Sequence, residues 1–173
     1  MNRSVLAIVV AATVVLSGCA ALPGGGDATT EPSDVGGEQV AVEDAQAGAS
    51  GVNNTLRIAV DERTNGTELA AIGATYPREN FTVDSATHDA IVVGVDTNAD
   101  GEIDERFDAS VVSGVNNNAY SFDVTLDTDY ALESGDVVVV TYPAVENPSE
   151  AGEYEVEVRL NDRQTATGNV SIE

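Results

Sequence analysis

The sequence predicts an all-β domain, an antiparallel two-sheet sandwich over residues 53–173, preceded by two segments of different character. Three observations predict it. From Thr55 onward apolar and polar residues alternate in run after run, the period-two pattern of strands buried on one face. Two runs, Ala90–Val95 and Val137–Val140, are apolar at every position and suit central strands covered on both faces. No stretch of this region carries a sustained helical period. About eight short strands separated by turn residues make a sandwich with one core the first expectation, with a barrel as the alternative.

The first segment, residues 1–18, reads as an export leader. Arg3 gives a short positive start, and Val5 to Leu16 is an apolar run. At about 12 residues it is too short to span a bilayer as a helix, and it has the length of a signal-peptide apolar region. It ends in Leu16-Ser17-Gly18-Cys19, and Cys19 is the only Cys in the chain. The tetrapeptide resembles the lipobox of exported lipoproteins. That resemblance implies cleavage before Cys19 and lipidation of its thiol. Two lipid chains anchor a protein stably where one does not, so the expected location is the outer face of the cytoplasmic membrane, with nothing spanning it. A plain cleaved signal with an incidental Cys is the alternative.

Residues 19–52 read as the lipidated Cys followed by a flexible acidic linker. The stretch is rich in Gly, Ala, Pro, Ser and Thr, with Gly24-Gly25-Gly26 and Gly36-Gly37 as breaks. It offers too little apolar surface to offset the entropy of ordering. As a coil it would reach roughly 30 Å from the lipid surface. The run Glu38–Ala47 is less broken but also reads as coil.

The strands follow in order. Leu56, Ile58 and Val60 alternate with Arg57, Ala59 and Asp61. Tyr120, Phe122, Val124 and Leu126 alternate with Ser121, Asp123, Thr125 and Asp127. Tyr154, Val156, Val158 and Leu160 alternate with Glu153, Glu155, Glu157 and Arg159. Further strands are expected near Leu69–Thr75, Glu105–Val112 and Thr165–Ile172. With 5 Tyr, 3 Phe and no Trp, Val and Ala must fill most of the core.

Charge excludes several functions. The chain has 30 acidic and 7 basic residues, a formal net charge of −23, and every basic residue is Arg. A nucleic-acid binder needs a basic footprint that is missing here. The acids run through linker, strands and turns alike, which points to adaptation to molar salt rather than one acidic binding surface; the composition resembles proteins of extremely halophilic archaea. Self-repulsion of this size opposes folding, and at about 1 M salt a Debye length near 3 Å largely screens it.

Two stretches resemble known modules. Tyr142-Pro143-Ala144-Val145-Glu146-Asn147-Pro148-Ser149-Glu150-Ala151-Gly152-Glu153-Tyr154, with Leu132-Glu133-Ser134-Gly135-Asp136 upstream, is similar to the corner-and-strand pattern of immunoglobulin-like modules in prokaryotic surface proteins. This implies an immunoglobulin-like sandwich in a surface setting and no catalytic residues. Asp96-Thr97-Asn98-Ala99-Asp100-Gly101-Glu102-Ile103-Asp104 matches the first nine positions of a calcium loop. Side-chain oxygens stand at 96, 98, 100 and 104, Gly101 allows the turn, and the Glu102 carbonyl adds an oxygen. Position 12 is Phe107, so an EF-hand is excluded. What remains resembles the calcium loops of extracellular β-proteins, with calcium as the one cofactor on offer and an affinity of about 10⁻⁴ to 10⁻³ M. The alternative is a hairpin turn in which Asp100-Gly101 supplies a positive φ.

Asn53, Asn65, Asn80 and Asn169 begin N-glycosylation sequons,, with Asn53 and Asn65 expected in linker or turn. His88, the only His, reads as a surface residue. No nucleophile elbow, phosphate loop or dinucleotide fingerprint is present, so no catalytic residue is assigned and the chain is read as a non-enzyme. The expected function is a lipid-anchored surface module with a structural or protein-interaction role, its partner an S-layer or other surface protein. A metal- or solute-capturing lipoprotein is the alternative. Dialysis of the full chain from molar KCl into millimolar buffer is expected to unfold it, read by loss of the cooperative thermal transition; an unchanged melt would refute the salt-adaptation reading.

Overall fold

The computed structural model describes residues 39–173; the leader, Cys19 and residues 20–38 of the expected linker lie outside them. The alternating runs become strands because each buries one row of side chains. The strands are β1 (Val40–Val42), β2 (Val52–Ala59), β3 (Ala71–Thr75), β4 (Thr82–Val83), β5 (Val92–Asp96), β6 (Glu105–Phe107), β7 (Val112–Asn118), β8 (Ser121–Leu126), β9 (Val137–Glu146), β10 (Gly152–Leu160) and β11 (Gln164–Ile172). Their pairings are antiparallel. One sheet runs β1-β2-β9-β5-β6, with β4 also paired to β9, and the other runs β11-β10-β3-β8-β7.

This is an immunoglobulin-like sandwich. In chain order β3, β5, β6, β7, β8 and β9 occupy the places of strands B, C, C′, D, E and F, with B, E and D in one sheet and C′, C and F in the other,. The flanks are exchanged relative to that plan. The early strand β2 lies beside β9, where an immunoglobulin domain has its last strand, and the C-terminal hairpin β10–β11 lies beside β3.

The core forms between the facing rows. Leu56, Ile58, Val93, Val95, Val138, Val140 and Tyr142 come from one sheet, and Ile72, Ala74, Phe122, Val124, Val156, Val158 and Leu160 from the other, all buried. Phe122 and Tyr142 stack across the gap with ring centroids 4.0 Å apart and planes at 9°. Tyr76, Phe81 and Tyr154 extend this aromatic group. Such contacts contribute about 0.5–1.5 kcal/mol each beyond area burial, so the few aromatics are concentrated where the sheets meet. Burial pushes the Tyr76 phenol far above its ordinary range, and Tyr142 beside it adds to the effect. The Tyr76 hydroxyl donates to Asn54 Oδ1 at 3.3 Å, which gives that buried pair mutual partners.

The structure corrects four expectations. The linker does not extend to residue 52: β1 pairs with β2, Val40 is buried, and Gln39–Val52 belongs to the sandwich. Three residues of β1 are too few to show a period against a Gly- and Ala-rich background. The strand expected at Glu105–Val112 is β6, a single 3₁₀ turn at Ala109–Val111, and the start of β7, because the chain changes sheets there. Strand β7 was not anticipated, since Asn and Gly are poor strand formers and pairing with β8 overrides that preference,. Strand β9 runs past Pro143 to Glu146. The Pro sits beside the register shift between Val52 and Asn54 on β2, where a missing N–H is tolerated.

The corner after β9 is built by Asn147. Its Nδ2 donates to the carbonyls of Asp44 at 2.7 Å and Gln46 at 3.0 Å, and its backbone N donates to Ala49 O at 2.8 Å. The side chain is buried and fastens Asp44–Ala49 to the end of the sandwich. Asn147→Ala is expected to lower the unfolding free energy by about 1–3 kcal/mol, because the carbonyls of Asp44 and Gln46 lose the donor that ties their segment to this corner,. Denaturant melts at fixed high salt check this; a change within a few tenths would show that the segment does not depend on this residue.

Candidate functional site

Directly opposed residues of an antiparallel pair share a face of the sheet. Val139 of β9 is paired with Arg57 of β2 and Gly94 of β5, and Val137 with Ala59 and Asp96. These two rows point away from the core, yet Val137 and Val139 are 1% and 2% exposed. The segment between β5 and β6, Thr97–Asp104, folds back across this face. Ile103 lies over Gly94, where any β-carbon would collide with it. Arg57 Nη2 donates to Gly101 O at 2.7 Å. The loop predicted from the sequence to hold calcium is therefore also the outer cover of the central strands.

Asp96 organises that cover. It is fully buried. Its Oδ1 accepts the backbone N–H groups of Asn98 at 3.3 Å and Asp100 at 3.2 Å, and its Oδ2 accepts that of Gly101 at 2.8 Å. Arg57 Nη1 stands 3.7 Å from Oδ2 and has no hydrogen-bond partner of its own. The other oxygens of the motif repeat the pattern. Asn98 Oδ1 accepts from Asp100 N at 2.9 Å, and Asp100 Oδ1 accepts from Glu102 N at 2.9 Å. Asp104 Oδ2 accepts from Thr97 N and Thr97 Oγ1, both at 2.8 Å. Positive φ falls on Gly101, as the turn reading requires, and on Ala99 rather than Asp100. Asp96, Asn98, Asp100, Glu102 and Asp104 thus lie in one loop whose carboxylates hold its backbone. The Arg57 guanidinium supplies a cation at its buried end. Nothing in the sequence marks Arg57, which occupies an ordinary polar position of an alternating strand.

Among the described residues, the carboxylates gathered closely enough to face one ion are Glu68, Asp127 and Asp129, with one oxygen of each within 4.8 Å of the others. All three are exposed. They come from separate turns, joined by the Glu68–Ala131 bridge, so no spacing in the sequence indicates them. Beside them the Leu132–Asp136 turn is closed by a buried carboxylate. Asp136 Oδ2 accepts from Glu133 N at 2.9 Å and from the Tyr130 hydroxyl at 3.0 Å. Desolvation first, and then the Asp136 contact, push the Tyr130 phenol up to about 12.

The sequon residues separate by environment. Asn65 and Asn80 lie exposed in turns, and Asn169 lies exposed on β11. Asn53, expected in the linker, is instead half-buried in β2 with its amide bonded to Glu43 Oε2. His88 is exposed at the start of a short 3₁₀ turn, His88–Ala90. Cys19 lies outside the described residues.

No family model matches the chain, and no curated protein matches it. Several solved structures are similar in fold. A bacterial hydrophobin, BslA, has 14% identity and a TM-score of 0.43, over 78% of this chain and 92% of that one. The group B streptococcus pilus 2b backbone protein has 14% identity and a TM-score of 0.46, over 78% of this chain and 56% of that one. An uncharacterised protein of Nocardia farcinica with an immunoglobulin-like fold has 16% identity and a TM-score of 0.38, over 78% and 96%.

The hydrogen-bond count sets an order for the loop. Asp96→Ala removes three backbone bonds and leaves Arg57 without a counter-charge, whereas Arg57→Met removes one bond to Gly101 and leaves Asp96 capped. We expect Asp96→Ala to cost about 3 kcal/mol or more and Arg57→Met clearly less. Chemical denaturation of both variants at one salt concentration checks this; the reverse order would refute the assignment of Asp96 as the organiser.

Proposed function

We propose that this chain is a lipid-anchored cell-surface module with a structural or protein-interaction role, held by Cys19 at the outer face of the cytoplasmic membrane. The observation that carries this is Leu16-Ser17-Gly18-Cys19 at the end of a short apolar run, with Cys19 the only Cys. The chemistry of the described domain supports a non-enzymatic role. Its buried polar side chains are engaged in tying turns and edges: Asp96, Asp136 and Asn147 as above, and Thr64 with Gln164, whose Oγ1 to Oε1 hydrogen bond is 2.6 Å. The partner of the proposed role is an S-layer or other surface protein.

Cys19→Ser is the direct test. In cells, the wild-type chain is expected in the membrane fraction and the variant in the medium or in uncleaved precursor. Equal release of both chains would overturn lipid anchoring.

In a second reading the Asp96–Asp104 loop is also a weak calcium site, favoured by the alternate spacing of side-chain oxygens at Asp96, Asn98, Asp100 and Asp104 with Gly101 at the turn,. At a dissociation constant of about 1 mM, about 10 mM Ca²⁺ stabilises by roughly 1.4 kcal/mol, or about 5 °C for a domain of this size. The expected result is that shift in the full chain and its loss in Asp100→Ala. No shift over chelator leaves the loop as a sheet cover alone.

A further inference from the structure

A sheet edge presents unpaired backbone N–H and C=O groups, and proteins blunt such edges by shortening, charging or covering them. Three of the four sheet edges here are treated so. β1 has three residues, and β6 has three with Glu105 and Arg106 exposed. β11 has nine, but Gly168 is packed against Gln39 and Val40, and its end is bonded to Ala45 and Ala47 through Glu173. The fourth edge, β7, touches Val83–Ser85 through the Asn117 side chain and the His88–Ala90 turn, but no strand pairs with its outer side. It has seven residues, and beyond the register shift at Val112/Gly114 it runs in regular register with β8 from Gly114 to Asn118. Among the described residues, no backbone hydrogen bond from residues 113–118 goes anywhere but to β8.

Its chemistry is also unlike the rest of the surface. In a chain of net charge −23, residues 109–122 carry no charge at all. Asn116, Asn117 and Asn118 are exposed, and two of them hold the strand in place. Asn117 bonds Val83 O at 3.2 Å and Ser85 Oγ at 3.0 Å. Asn118 bonds Ser121 Oγ at 2.7 Å and accepts from Tyr120 N at 3.0 Å. The Asn116 side chain, on the outer face opposite Asp123, makes no hydrogen bond within the described residues.

We propose that β7 is a self-pairing edge, on which β7 of a second copy docks antiparallel about a two-fold axis to join two sheets into one. The unpaired backbone dictates an extended strand as occupant. The charge distribution favours a second copy. Two copies repel over the acidic surface, and here an uncharged strand meets itself. A two-fold axis makes the contact self-complementary, and centred on Asn116 it sets Asn116 against Asn116 of the other copy, amide to amide. This names one partner for the interaction role proposed above. Its failure would leave that role intact, because crosslinking on cells reads other partners independently.

The test is the mass of the full chain by light scattering and ultracentrifugation in about 1 M KCl, where bulk repulsion is screened, over about a thousandfold concentration series. The wild type is expected to pass from monomer to dimer. Asn116→Glu and Asn116→Lys are each expected to weaken the dimer about fivefold or more, because like charges then oppose across the axis. An equimolar mixture of the two is expected to restore it. At concentrations where the wild type is monomeric, both variants should keep a cooperative melt, since Asn116 makes no internal hydrogen bond, with Asn116→Glu slightly lower because it stands opposite Asp123,. Thr165→Glu, which adds the same charge near Arg159 at the covered β11 edge, should leave the dimer intact. A monomer at every concentration would overturn the proposal. So would a dimer insensitive to both substitutions, or a mixture that stays monomeric.

Discussion

Strand β9 sets the terms for the rest of the molecule. Its first four residues are all Val and all buried, so its two faces need two separate covers. The inner face meets the second sheet, and the outer face meets the Thr97–Asp104 loop. A loop is a poor cover for an apolar strand unless its own backbone groups are satisfied. The Asx hydrogen bonds from Asp96, Asn98, Asp100 and Asp104 meet that need. Gly94 completes the arrangement, because only a residue without a side chain lets Ile103 close on the sheet.

The few cations are spent in the same economical way. Arg57 lies under the loop beside Asp96. On the opposite sheet Arg159 bridges Asp123 at 2.7 Å and Glu157 at 3.5 Å and also bonds Thr75. Desolvation alone would weaken the Arg159 charge, but its carboxylate neighbours more than offset that and raise its pKa. Both arginines project from strands onto outer faces, where their stems cover sheet and their heads tie acids together. Among the described residues, Asp136 is the buried carboxylate without a paired cation, and the other unpaired carboxylates lie where salt can screen them.

Much of this was legible in the sequence. Alternation located β2, β8 and β10, the two doubly apolar runs located β5 and β9 as central strands, and further strands were expected where β3 and β11 lie, because burial of one or both faces leaves a direct trace in residue type. The motif at Asp96–Asp104 was legible as a turn with Gly101 at a positive φ. Arg57 at its buried end was not, nor was the approach of Glu68 to Asp127 and Asp129. In both cases the partners are far apart in the chain, and strand register alone brings them together.

The sequence by itself determined the all-β class, the acidic composition and the turn at Asp100-Gly101. These follow from residue type, local period and summed charge. Only the tertiary structure decided that Gln39–Val52 joins the sandwich, that the terminal strands exchange flanks, and that β7 forms an uncharged edge from Asn-rich sequence. Each depends on which strands lie beside one another, and pairing between distant segments overrides local preference wherever it buries apolar surface or satisfies backbone groups.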